Sequence, residues 1–554
     1  LKKSFFRLSL LLTICLTFTT AASSVTSTDE TKTPAKQIQL KNESNYVLTE
    51  RTKPSHISTL KAPPHPKTSQ YRFNIQEATI SEIQSALKRK KITSKELVQM
   101  YLDRIKMFDD QGPKINAIIT VNQNAVEAAQ ELDKERKQKG PRGPLHGIPI
   151  IVKDNYDTAD MPTTAGCICL KDSIPDDDSH QIKKLKEAGA IILAKSNLHE
   201  FAFGITTVSS AGGQTLNPYN LERNPGGSSG GTGAAIAANF AAAGLGTDTG
   251  GSIRIPSAFN SLVGIRPTIG LSSRDGIVPL ALTQDVGGPM ARTVADAAIL
   301  LEATSGYDPN DTKTAWSVGE TEGDYIKSLD RKGLQGAKIG VIRDLFGKQP
   351  ENVEVNQVTN EAIGDMKKLG AKVIDVKIPE LDKILAYPSL SSWEFKFQFN
   401  DYLKSLGEDA PFDSLTEVIE SGQFHPSSKS SLIARDQVKS LEEEEYKDIL
   451  LFRTKLTQQS LLKVMADEDL DAFVYPTSSQ PAQVIGKGQN SGSANRLSAF
   501  SEFPAITVPA GFTSENLPVG IEFLGRAFSE PSLIKLAYAY EQGTEHRKPP
   551  STTP

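Results

Sequence analysis

Two glycine-rich turns carry the serines that could act as nucleophiles in this chain. The first is Gly226-Gly227-Ser228-Ser229-Gly230-Gly231-Thr232-Gly233. The second is Gly246-Thr247-Asp248-Thr249-Gly250-Gly251-Ser252-Ile253-Arg254. Glycine has no Cβ, so the backbone can take otherwise closed turns and approach a ligand directly, at an entropic cost. Two such turns so close together read as one active site. Three chemistries are open. Gly226 to Gly230 fits a nucleophile elbow at Ser228, with His425 or His546 as downstream base, although both histidines lie in polar, loop-like settings. The first turn could cradle a phosphate at a helix start, but a phosphate loop needs Lys after its last glycine and Thr232 follows Gly231 instead. The third pairs Ser252 with an amine. A lysine is normally charged, with a pKa of about 10.4, and burial can lower it enough to take a serine proton. Lys153 closes the apolar run Ile148-Pro149-Ile150-Ile151-Val152 and is placed for that role.

With Val152-Lys153-Asp154-Asn155 set beside both turns, the chain resembles the amidase-signature family of serine hydrolases. Lys153 precedes Ser228 by 75 residues and Ser228 precedes Ser252 by 24, intervals that suit that family's Ser–Ser–Lys triad. The likeness runs from about Phe73 to Pro550. It implies that Ser252 is the nucleophile and forms an acyl-enzyme. It implies that Ser228, after a cis peptide bond from Gly227, bridges to a neutral Lys153. The backbone N–H groups of Thr249, Gly250, Gly251 and Ser252 then face the oxyanion. No metal or organic cofactor is implied. Asp248 and Arg254 are expected to hold the loop, with Ser229 and Asn155 in support and Asn197, Glu200 and His199 less certain. Gly143 to Pro149, Gly212 to Tyr219, Ser273 to Pro289 and Tyr538 to Gln542 look most similar to peptide amidases, which release ammonia from C-terminal peptide amides. The alternatives are a catalytically silent binding protein on the same fold and a glutamine-hydrolysing amidotransferase subunit.

The elements that must position these residues alternate. Capping boxes at Thr79-Ile80-Ser81-Glu82 and Thr93-Ser94-Lys95-Glu96 start two helices. Helices are also expected near Asn124–Lys137, His180–Ala188, Ala234–Ala243, Thr293–Ala303 and Pro531–Gln542. Short apolar runs at 148–152, 190–194, 338–342, 471–476, 504–509 and 520–524 read as strands, and Gly264-Ile265-Arg266-Pro267 as a turn. The fold class is therefore α/β, with a mixed central β-sheet flanked by helices on both faces. The basic run Lys88-Arg89-Lys90-Lys91 reads as a solvated helix end.

Composition bounds the rest. The net charge of −4 offers no broad basic surface, so nucleic acid is not an expected partner; a small-molecule or peptide amide is. Lys2, Lys3 and Arg7 before the apolar Leu8–Thr20 and the small Ala21-Ala22-Ser23 form a signal-peptide pattern over 1–22. Export to the medium or cell envelope follows, with no stable membrane span after its removal. Residues 23–70 form a polar linker rich in Thr, Ser, Lys and Pro, and 71–550 the catalytic domain. Cys167 and Cys169 are too close in sequence to close a useful loop and are expected to be two free thiols.

Overall fold

A computed structural model describes residues 73–320 and 323–554. The signal-peptide and linker assignments lie outside the described residues. Thirteen strands are present among them: β1 (Ile118–Val121), β2 (Pro149–Lys153), β3 (Ile191–Ser196), β4 (Val208–Ser209), β5 (Gly213–Gln214), β6 (Ala243–Asp248), β7 (Val263–Arg266), β8 (Val286–Ala291), β9 (Lys338–Ile342), β10 (Lys372–Val376), β11 (Ala472–Pro476), β12 (Ala505–Phe512) and β13 (Pro518–Leu524). Eleven form one sheet in the order β1-β3-β2-β6-β8-β7-β12-β13-β11-β9-β10, and β4 pairs with β5. The sheet is mixed. β2 runs parallel to β3 and β6, while β8 is antiparallel to β6 and β7.

Consecutive side chains of a strand point to opposite faces. In β11, Ala472 and Val474 join one apolar cluster, and Phe473 and Tyr475 join another. Both faces are therefore covered, which explains why the central strands read as continuous apolar runs rather than alternating ones. Among the helices, α1 (Ile80–Lys88) and α2 (Ser94–Arg104) begin at the two capping boxes, each with both reciprocal bonds made. They are followed by α3 (Ala125–Lys139), α4 (His180–Glu187), α5 (Gly230–Ala237), α6 (Arg254–Phe259), α7 (Val294–Thr304) and α8 (Val353–Lys368).

Two βαβ steps build the sheet edge that carries Lys153. Helix α4 connects β2 to β3, and α5 lies between β3 and β6. The register Ile150↔Ala243, Ile151↔Gly244, Val152↔Leu245 aligns β2 with β6, and Lys153 pairs with Ser196 of β3. The carboxyl ends of three parallel neighbours thus coincide, which is where open α/β sheets hold their ligands.

Three expectations are corrected. The alanine-rich run does not stay helical to Ala243: α5 stops at Ala237, and Asn239 takes a left-handed φ of 59°. That reversal sends Ala243 into the central strand β6, which carries the second glycine turn. Gly264-Ile265-Arg266 is strand, not turn, paired with β8 on one side and β12 on the other. Cys167 and Cys169 are joined in a disulfide rather than free. Loop size had argued only that such a bridge stabilises little. The 3-10 turn Ile168–Leu170 begins between them and leaves their Cα atoms 5.1 Å apart, within ordinary disulfide reach.

Candidate active site

Lys153, the last residue of β2, is fully buried. Its Nζ lies 2.7 Å from Ser228 Oγ and 2.7 Å from Thr247 Oγ1. Ser228 follows a cis peptide bond from Gly227 and immediately precedes the first turn of α5. No carboxylate comes within ion-pair distance of Lys153 among the described residues. Its buried neighbour Lys195, by contrast, sits 3.2 Å from Asp154. Burial pulls Lys153 down to about 7, and the more distant charges of Asp285 and Asp248 oppose this without cancelling it. A lysine in that state is in part a neutral amine beside a serine hydroxyl, able to accept its proton near neutral pH.

The second turn follows β6. Ser252 is 8% exposed, and its hydroxyl is in no hydrogen bond among the described residues. Its carbonyl accepts from Ser229 N at 3.2 Å, which ties the two glycine turns together. Ser229 Oγ in turn bridges the backbone of Thr247, 3.2 Å from both its N and its O. Asp248 does most to shape the loop: its carboxylate accepts from Gly251 N at 2.7 Å and Ile253 N at 3.1 Å. Gly251 N–H is therefore already engaged. Thr249, Gly250 and Ser252 are left with amides that have no acceptor among the described residues.

Asp248 also faces two buried arginines, Arg254 and Arg266, each at 3.0 Å. Burial alone would raise its carboxyl, but the two guanidiniums outweigh that and hold it well below the ordinary carboxylate range. Arg254 reaches on to Glu522 of β13 at 2.5 Å, and Glu522 also accepts from Tyr475 at 2.8 Å and Asn495 at 2.9 Å. Asn155 donates to Thr247 Oγ1 at 3.1 Å.

The other sequence readings fare differently. His425 Nδ1 meets Ser427 Oγ at 2.7 Å and His546 meets Asp365 at 3.3 Å, so neither reaches Ser228 or Ser252. The phosphate cradle fails because its amides are taken: Gly230 N donates to Thr207 Oγ1 and Gly231 N to Asn197 O, both at 3.1 Å. His199 donates its backbone N–H to Ser228 O at 3.0 Å, and burial draws its imidazole down to about 4. Glu200 accepts the backbone N–H of His425. Thr247, Arg266, Glu522 and Asn495 were not singled out in the sequence. Thr247 alone had a signal, lying between the glycine and Asp248 of a turn already under suspicion. The other three come from distant strands and loops.

Comparison with known proteins identifies the family. The family model described as amidase matches residues 96–534, well over half of the chain. A probable amidase of Arabidopsis thaliana is 38% identical over 501 residues, spanning 86% of this chain and 92% of that protein. The native peptide amidase of Stenotrophomonas maltophilia superposes with a TM-score of 0.79 at 36% identity, covering 86% of this chain and 99% of its own. A glutamyl-tRNA(Gln) amidotransferase subunit from Thermotoga maritima superposes at 0.66 with 30% identity, covering 86% and 96%. A buried lysine on a serine, a second serine in a glycine loop and a mixed eleven-stranded sheet thus meet in a chain that belongs to the amidase-signature family, an enzyme acting on amide bonds.

Proposed function

We propose that this chain hydrolyses C-terminal peptide amides and similar carboxamides to the acid and ammonia, through Ser252, Ser228 and Lys153. The observation that carries the reading is the 2.7 Å contact between Ser228 Oγ and a Lys153 brought by burial to about 7. In the first half-reaction Ser252 Oγ attacks the amide carbonyl carbon. Its proton passes to Ser228 Oγ, whose own proton goes to Lys153 Nζ. The oxyanion is held by the free amides of Thr249, Gly250 and Ser252, with Gly251 as a donor only if Asp248 releases it. The C–N bond then breaks, and the proton returns along the same path to the leaving ammonia. Water repeats the attack on the ester, frees the acid and restores Ser252.

The peptide subclass is supported by the higher backbone likeness to the peptide amidase, 0.79 against 0.66 for the amidotransferase. A substrate panel of peptide amides, glutamine, aryl amides and fatty amides tests it by the amine or ammonia released. Peptide amides are expected to turn over fastest, whereas turnover of glutamine alone would favour the amidotransferase reading. The basic, apolar and small residues at the start of the sequence support export to the medium or cell envelope. N-terminal sequencing of secreted protein should begin near Ala22 to Ser24, and finding only full-length intracellular chain would contradict it.

A further inference from the structure

The basic run at 88–91 does not end in open solvent alone. Helix α1 ends at Lys88 and α3 at Lys139, and the two C-terminal ends flank one open cavity of about 1040 Å³. Its floor includes the buried side chains of Leu87 and Ile92. Its walls carry Lys88, Lys90, Arg136 and Lys137, none of which is in an ion pair among the described residues. Arg136 is half-buried and donates to two neutral oxygens, Gln84 Oε1 at 2.9 Å and His146 O at 2.7 Å. Its Nε is buried with no partner among the described residues. The one carboxylate in the wall, Asp133, is engaged with the amides of Ser94 and Lys95 at 2.8 and 3.0 Å.

Lysines and arginines near helix C-termini need no ligand to explain them, because each terminus carries about half a negative charge. Two termini and Asp133 together offset roughly two of the four cations, so a positive excess of about two remains. Arg136 donates only to neutral oxygens in a partly desolvated wall, with Asp133 as a more distant opposite charge, and an added anion would stabilise it further. The cavity lies in the size range of small-molecule sites, which combine an apolar floor with a few convergent polar groups.

We propose that this cavity binds an amphiphilic anion, one carboxylate or phosphate head on an apolar body. The head meets Arg136 and the three lysines, and the body lies on Leu87 and Ile92. The test is calorimetric titration of the full chain with decyl phosphate below its micelle-forming concentration. The comparison ligands are decyl maltoside, which keeps the tail with a neutral head, and inorganic phosphate, which is the head alone. The variant Lys88→Glu/Lys90→Glu/Lys137→Glu changes three exposed residues, none of them among the buried amide-hydrolysing groups, and its basal turnover is expected to be unchanged. The expected result is saturable one-to-one binding of decyl phosphate, weakened at least about tenfold in the variant and weakened again by added salt. Neither comparison ligand should approach it. Equal affinity of the variant, equal affinity for either comparison ligand, or adhesion to anionic phosphatidylglycerol vesicles without binding of the monomeric amphiphile would each overturn the proposal.

Discussion

In the proposed mechanism the chemistry turns on Lys153, and its titration gives the sharpest expectations. With its value brought from 10.5 to about 7, kcat/KM should rise with pH through about 7 and level above it. A stability effect follows with a defined sign. Between about 7 and 10.5 the unfolded chain holds a proton that the folded chain has lost, so the unfolding free energy climbs with pH across that window. Below it the buried charge costs on the order of a few kcal/mol, against about 1 kcal/mol for each of the two hydrogen bonds Lys153 makes. Lys153→Met should therefore be inactive yet melt higher than the parent at pH 7, the gap closing toward pH 10 in thermal melts; equal melting temperatures throughout would refute a buried, depressed lysine. Arg254 is the structural counterpart. Arg254→Met leaves Asp248 and Glu522 without a shared partner and should lower the unfolding free energy by about 3–5 kcal/mol in denaturant titration. The contact of Lys153 with Ser228 was legible because three ordered motifs at suitable spacing are local features of sequence. Glu522 was not, because its partner Arg254 lies 268 residues away and nothing in the local pattern of β13 marks one carboxylate among the apolar residues as buried.

At the scale of elements, the glycine turns hold their shape by close approach of backbone. A Cβ on Gly231 would lie 2.1 Å from Asn197 O, at the end of β3, whereas one on Gly250 would meet nothing within 4 Å. Gly231→Ala should thus destabilise by about 3 kcal/mol and depress turnover, while Gly250→Ala should fold with near-parental stability. Parallel chemical-denaturation curves for the two variants check the contrast. The capping boxes of α1 and α2 were readable because both side chains of each box sit within four residues of sequence. Strand β6 was missed for the opposite reason. Its residues Ala243 to Asp248 are glycine-rich and mostly small, with Thr247 the one β-branched side chain among them, which is too little of the bulk that marks a strand. They fit there because α5 packs directly over them.

For the whole molecule, the α/β class and mixed sheet followed from alternating apolar runs, but strand order did not. β12 extends the sheet beside β7, a pairing between residues more than 230 apart, and only long-range contact sets it. The last residues belong to this body as well: Thr553 is buried, and Arg104 of α2 donates to its carbonyl at 2.8 Å. A chain beginning at Phe73 should accordingly fold and keep parental kcat/KM, measured on purified protein of both lengths, whereas loss of activity would place essential contacts in the first 72 residues. The central claim, that Ser252 attacks and Ser228 relays to Lys153, is tested most directly by fluorophosphonate labelling followed by peptide mapping in a mass spectrometer. A single phosphonyl adduct on Ser252 is predicted, absent after Lys153→Met. An adduct on Ser228 or Ser229 instead, or undiminished labelling without Lys153, would contradict it.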